Sequence, residues 1–243
     1  MKTIDLDRRQ LLEAIAATVT LSILPFGSFA QVAANKPKIG VIGSGNVGSN
    51  LGRSWARAGY QVMFSSLDIE VDRKLAAEVG ANARAGTPQD AAAFGDVLLF
   101  AVPYSALPEL GKSLGSSIKG KIVIDASNPF PKRDGAVADD ALAKGPGIKT
   151  AELLPGARIV RAFNALGAAV MGAAHETPGR IGMPFASDDK EAIEIATRMI
   201  KDVGFEPVLV GGLAMGKYLM LGTPLAGVHA PDDVRKAAAT LKP

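Results

Sequence analysis

The sequence predicts an α/β fold built on a doubly wound, mostly parallel sheet, and three observations predict it. Short apolar segments alternate with segments of helical spacing from Gln31 onward, with few hairpin signals between them. Asp96-Val-Leu-Leu-Phe-Ala-Val102 is a nearly unbroken apolar run, the mark of a strand covered on both faces as in a parallel sheet. Gly43, Gly45 and Gly48 stand at G-x-G-x-x-G spacing between an apolar segment and a helical one. One glycine of such a turn permits the tight bend, one lets backbone approach a pyrophosphate, and one lets helix and strand pack closely. Strand before and helix after make it a dinucleotide-binding turn, with the pyrophosphate expected on the free amides and positive end of the helix beginning near Asn46.

The elements follow in order. Ile39, Val41 and Ile42 form the first strand, and Val47, Leu51, Trp55 and Ala58 recur at helical spacing up to the stop at Gly59. Gln61–Ser65 is the second strand and Asp68–Val79 the second helix, closed by Gly80. A brief strand at Ala83–Gly86 and a short helix at Pro88–Phe94 precede the strand at Asp96–Val102, which Pro103 ends. Tyr104–Leu114 is expected to be helical and Lys121–Ala126 to be the next central strand. Phe130–Pro155, rich in glycine, lysine, aspartate and proline, reads as a long excursion with one short helix near Ala136–Ala143. Arg158–Ala162, Arg180–Ala186 and Pro207–Val210 resume the sheet. A helix from Asp188 to Val203, with Asp188 as N-cap and Gly204 as stop, precedes the last strand. The tail from Gly211 to Pro243 is expected to lay one short helix over the site or over a second subunit.

Composition excludes several function classes. A chain of 243 residues with 48% apolar content suits one large domain or one and a half. A net charge of +3, no basic block and 5% aromatic residues argue against nucleic acid as a partner. Without cysteine there is no disulfide framework or thiol nucleophile. His175 and His229, the only histidines, lie in different segments, so no metal site is expected.

The first thirty residues read as an address. Arg8-Arg9 precede an apolar run from Ala14 to Leu24, with Ser28-Phe29-Ala30 suited to cleavage before Gln31. The run is about half the roughly 20 residues a bilayer span requires. A twin-arginine export signal and a periplasmic protein without a stable membrane anchor are the expectation. An amphipathic N-terminal helix, in keeping with Glu13, which interrupts the apolar region between Leu12 and Ala14, is the other reading. The chain then divides into a signal at 1–30, a dinucleotide-binding domain at 31–212 and a C-terminal extension at 213–243.

In open α/β sheets ligands bind outside the carboxyl ends of the strands. Gly43, Ser44, Gly45, Asn46, Val47 and Gly48 follow the first strand, and Ser65, Ser66 and Asp68 follow the second, a pairing suited to the adenosine half of a dinucleotide. Ala101, Val102, Pro103, Tyr104 and Asn128 would flank the nicotinamide. The signal for NADP against NAD is mixed. Asp68 lies at the spacing of a ribose-binding acid and is equally suited to cap the second helix, whereas Ser65 and Ser66 suit a 2′-phosphate. Asn128 and Asn164 either point into the site or tie their own turns. No catalytic acid or base stands out, His175 reads as a loop residue, and Gly211-Gly212 offer room for a second ring.

Gly43-Ser-Gly-Asn-Val-Gly48, Ser65-Ser66, Asp96–Pro103, Ile124-Asp-Ala-Ser-Asn-Pro129, Arg161-Ala-Phe-Asn164 and Val210-Gly-Gly212 together resemble the NADP oxidoreductases dependent on the deazaflavin coenzyme F420. These enzymes are related in fold to the N-terminal domain of pyrroline-5-carboxylate reductase and to the reductase domain of STEAP-type metalloreductases. The resemblance implies a Rossmann fold and NADP on the glycine turn. It places the 2′-phosphate at Ser66 and the residue after it, and the nicotinamide near Ala101–Pro103 and Asn128. Family members usually carry arginine where this chain has Leu67, with Arg73 and Lys74 the candidates to replace it. The expected reaction is hydride transfer between NADP(H), NAD being possible, and a small-molecule acceptor of deazaflavin or flavin type. An imine or carbonyl reductase with Tyr104 as proton donor, or a dinucleotide-binding protein without turnover, are the alternatives. A homodimer is possible in each.

Overall fold

A computed structural model describes residues 36–243. The export signal expected over residues 1–30 lies outside the described residues. Eight strands form one sheet: β1 Ile39–Ile42, β2 Val62–Ser65, β3 Ala83–Ala85, β4 Val97–Phe100, β5 Ile122–Asp125, β6 Arg158–Ala162, β7 Gly182–Ala186 and β8 Glu206–Leu209. Their spatial order is β3-β2-β1-β4-β5-β6-β7-β8. The first six are all parallel, and the strand order reverses between β1 and β4, the switch point of a doubly wound sheet. β7 runs antiparallel to β6, and β8 parallel to β7. The sequence pattern carries no sign of that reversal, because β7 is buried on both faces whichever way it runs.

Helices cover both faces: α1 Asn46–Arg57, α2 Ile69–Val79, α3 Pro88–Phe94, α4 Leu107–Ile118, α5 Pro131–Asp134, α6 Ala136–Lys144, α7 Pro146–Leu153, α8 Ala168–Ala173, α9 Lys190–Asp202 and α10 Pro231–Ala239. One core lies under α1 and α9, where Trp55, Phe163, Phe205 and Met199 meet the β1, β2 and β6 side chains. The other lies under α3, α4 and α7, with Leu98, Phe100, Tyr104, Leu107 and Leu154.

Several expected elements change form, each for a visible reason. Residues 130–155 hold three short helices instead of one, separated at Gly135 and Gly145, both at positive φ. The segment at Tyr104–Ala106 is a 3₁₀ turn, with the α-helix starting only at Leu107 ahead of Pro108. β4 ends at Phe100, so Ala101–Pro103 leave the sheet as loop. The cap of α9 is Asp189, not Asp188: its carboxylate accepts the Ala192 amide at 2.9 Å, while Asp188 accepts the Leu213 amide at 3.3 Å. The tail helix α10 packs on β7 and β8 rather than over the site.

Candidate functional site

The strand ends that the sequence singles out come together at the switch point. Gly43 has φ +98°, and a side chain there would meet the Ala101 carbonyl oxygen at 2.5 Å. A Cβ on Gly48 would collide with the Gly43 carbonyl oxygen, so only glycine lets α1 approach β1 this closely. Gly45, the residue before α1, has nothing within 4 Å of a notional Cβ, and it faces open space. The three glycines therefore meet three different demands: a bend, a clear approach and a tight packing. No side chain among the described residues caps the N-terminus of α1. Its first amides keep the positive end of the helix open. A loop that turns glycine backbone and uncapped amides toward a void suits a pyrophosphate.

Two cavities meet along Ala101, Val102 and Pro103. A groove of about 680 Å³ is lined by Gly43, Ser44, Gly45, Ser66, Leu67, Asp68, Glu109 and apolar neighbours. A pocket of about 290 Å³ is lined by Asn46, Val47, Asn128, Phe130, Arg133, Phe163, Leu166 and Leu221. Together they make a two-lobed cleft across the switch point, and Leu221 is the tail's contribution to it.

Four of the expected site residues lie behind the cleft rather than in it. Gly48 is the packing glycine. Ser65 is fully buried, its hydroxyl donating to the Val41 carbonyl at 2.7 Å while its own carbonyl accepts the Gly43 and Ser44 amides. It holds the glycine turn and is closed to a phosphate. Tyr104 is fully buried, its hydroxyl 2.9 Å from the Pro146 carbonyl and 3.0 Å from Thr150 Oγ1. Burial, aided by the Asp125 charge, pushes its phenol well above the usual range. Tyr104 is thus a structural residue and no proton donor, and Tyr104→Phe should leave turnover within about threefold while costing about 1 kcal/mol of stability. Thermal denaturation and steady-state rates check both.

Asn164 is also buried, its Nδ2 donating to the Ser127 carbonyl at 3.2 Å and its Oδ1 without a partner among the described residues. Asp68 lines the groove and caps α2, accepting the Glu70 amide at 3.0 Å. Gly211 and Gly212 make room for Met215 and Asp188, not for a ring.

A buried polar network supports the pocket, and the sequence reading missed it. Arg161 and Asp125 are both fully buried and paired at 2.7 Å. Asp125 also accepts from Thr150 Oγ1 at 2.8 Å and from the Ser127 amide at 2.9 Å. Arg161 donates to Ser127 O, Gly216 O and Asn128 Oδ1. The Asn128 amide is held at both ends, since Nδ2 donates to the Asn164 carbonyl at 2.9 Å. Its flip state is therefore fixed by the network. The signal was the charged pair inside two strands, Asp125 and Arg161, which sit directly opposite each other in the β5–β6 register.

Phe163, between Arg161 and Asn164 on the pocket wall, is the only non-glycine residue at positive φ among those described, at 67°. Such a conformation costs of order 1–3 kcal/mol and persists where packing overrides it. Here Trp55 and Phe205 hold the ring edge-on at 5.9 and 6.2 Å.

Arg133 is clamped at the pocket rim by Asp134 and by the Asn128 carbonyl at 2.8 Å. Asp134 also accepts from the Phe130 amide and from Ser105, which lines the other lobe. Burial alone would raise the Asp134 carboxyl, but the bonds from Arg133, Phe130 and Ser105 outweigh it and bring the pKa down to about 2. Asp189, beside Arg158, is likewise lowered to about 2. A carboxylate depressed on folding stabilises the fold at every pH above its unfolded value, and that stability is lost as pH falls from about 4 through about 2. Urea titrations between pH 5 and pH 2 should show this loss, and Asp134→Asn should flatten part of the slope.

The 3-2-1-4-5-6 order of the first six strands, with an open glycine turn at the switch point, is the arrangement of a Rossmann-type dinucleotide-binding protein. Residues 38–129 match the family model described as NADP oxidoreductase, coenzyme F420-dependent. The chain is 30% identical over 215 residues to an F420-dependent NADP reductase of Methanothermobacter thermautotrophicus, covering 82% of this chain and 92% of that one. It is 27% identical to the metalloreductase STEAP3 of Rattus norvegicus over 79% of this chain and 37% of that protein. Among solved structures, a hypothetical protein from Sinorhizobium meliloti superposes with a TM-score of 0.67 at 29% identity, over 81% of this chain and 96% of the other. The chain belongs to the coenzyme F420-dependent NADP oxidoreductase family, and it is an oxidoreductase of the NADP-dependent reductase class.

Proposed function

We propose that this reductase passes hydride between a nicotinamide dinucleotide, with NADP(H) the coenzyme its relatives' names carry, and a planar acceptor of deazaflavin or flavin type. The carrying observation is the lining of the smaller lobe. Among its described residues Arg133 is the one ionisable side chain, and apart from the amides of Asn46 and Asn128 the rest is apolar wall. Such a lobe aligns rings and excludes water but offers no proton donor. The dinucleotide, when bound, supplies or takes the hydride at its nicotinamide ring. Gly43–Val47 would receive its pyrophosphate, Ser66 and Asp68 its adenosine ribose, and Ala101–Pro103 with Asn128 its nicotinamide. Phe130, Phe163, Leu166 and Leu221 would form the apolar surface for the acceptor. An imine or carbonyl reductase needs a proton donor, and burial of Tyr104 removes the candidate for it.

The test adds deazaflavin, flavin and ferric acceptors to purified protein with reduced coenzyme, following absorbance of the reduced nicotinamide. Acceptor-dependent oxidation by a deazaflavin or flavin, with a rate nearly flat from about pH 6 to 9 for lack of a titrating acid, is the expected result. Oxidation only by an imine or carbonyl substrate would overturn the reading.

The export reading of residues 1–30 belongs to the same proposal: paired Arg8-Arg9 before a short apolar run suit twin-arginine transport of a folded, coenzyme-loaded protein to the periplasm. Mature protein beginning near Gln31 in a periplasmic extract supports it, and intact Met1 in the cytosol contradicts it. Among the described residues no helix is long and apolar enough to cross a membrane.

A further inference from the structure

A 2′-phosphate presents only acceptor oxygens and negative charge, so its site must supply donors and cations; a ribose 2′-hydroxyl can donate and needs an acceptor. The groove end at Ser66 has the second character. The Ser66 hydroxyl donates to Asp72 Oδ2 at 2.8 Å, and the Asp68 carbonyl at 3.2 Å is the other acceptor within its reach. The Asp68 amide in turn donates to the same Oγ at 3.2 Å. A serine hydroxyl has one proton and two lone pairs. With the proton and one lone pair engaged by protein, a lone pair is what remains for a ligand. Ser44, in the glycine turn, donates to the other oxygen of Asp72. Asp72 is fully buried on α2 and joins the two serines that line the groove.

Charge points the same way. Among the described residues the groove lining holds Asp68 and Glu109 and no lysine or arginine. Leu67, fully exposed, stands beside Ser66. Arg73 is paired with Glu70 along its own helix, and neither it nor Lys74 lines the groove. A 2′-phosphate would meet carboxylates at close range with no cation to offset them.

We infer that this cleft takes NADH at least as tightly as NADPH, with Asp72 the specificity-determining residue that turns Ser66 into an acceptor and Leu67 the position that lacks the phosphate-binding cation. The inference rests on the dinucleotide reading of the cleft.

Fluorescence titration of the full chain with NADH and with NADPH at fixed ionic strength tests it, on wild type, Leu67→Arg and Asp72→Asn. Leu67 is exposed, so its replacement spares the fold. The expected result is a wild-type dissociation constant for NADH equal to or below that for NADPH, with a shift of about tenfold or more toward NADPH in Leu67→Arg. Asp72→Asn, whose amide can donate to a serine oxygen, should shift the ratio the same way. Tighter binding of NADPH by the wild type overturns the inference, as does an unchanged ratio in Leu67→Arg. An unchanged ratio in folded Asp72→Asn overturns the role given to Asp72. Binding of neither coenzyme by the wild type overturns the dinucleotide reading itself, a result distinct from either.

Discussion

Gly45→Val is expected to weaken coenzyme binding at least a hundredfold, about 3 kcal/mol, in a chain that still folds. The two halves of that expectation come from one observation. A Cβ at Gly45 meets nothing within 4 Å, and its backbone is extended with a negative φ of −65°, so the fold leaves room for the substitution. The added isopropyl group would instead occupy the void in front of the α1 amides, where the pyrophosphate must lie. Gly48→Val has a different outcome, because its Cβ collides with the Gly43 carbonyl, and loss of folding is expected there. Circular dichroism with coenzyme fluorescence separates the two variants. Normal binding by Gly45→Val would mean that the open loop is not the coenzyme site.

Arg161→Met carries the largest expected loss of stability. It leaves Asp125 as a fully buried carboxylate with only the Thr150 hydroxyl and the Ser127 amide to satisfy it. Breaking one side of a buried ion pair costs about 3–5 kcal/mol, whereas replacing both partners often recovers much of that. The double variant Asp125→Leu with Arg161→Met should therefore be more stable than Arg161→Met alone in urea denaturation. It should not recover full turnover, because Asn128 then loses the guanidinium that holds its Oδ1 and keeps only the bond from its Nδ2 to the Asn164 carbonyl. Recovery of stability and activity together would show that Asn128 needs no fixed orientation.

The parallel sheet, the glycine turn and its helix were legible because local signals and global fold agree there: apolar runs, glycine spacing and helical periodicity specify the same β1–α1 unit. The strand ends were legible as a set for the same reason, since the topology rule gathers them at the switch point wherever the helices fall. What failed was side-chain direction. Ser65 and Ser66 are neighbours on one strand end, and alternation sends the first into the core and the second to the groove. Tyr104 follows Pro103 in a tight 3₁₀ turn, which carries its ring beneath the cleft to Thr150, a partner 46 residues away. The Asp125–Arg161 pair and Asp72 are long-range facts of the same kind. A charged residue in a strand signals that a partner exists, but the partner's identity depends on register, which a single sequence does not print. The antiparallel β7 was hidden because burial on both faces erases the alternation that would reveal its setting.

Direct hydride transfer, in a smaller lobe that has no proton donor of its own, is tested most directly by following the label. Coenzyme carrying deuterium at nicotinamide C4 would be reacted on the full chain with a deazaflavin acceptor, whose C5 keeps a transferred hydride that the exchangeable N5 of a flavin would lose to solvent, and the products read by mass spectrometry. Deuterium is expected in the reduced acceptor, transferred from one face of the nicotinamide only. Coenzyme oxidation that leaves the label in solvent or on the nicotinamide, or no oxidation with any such acceptor, would contradict it.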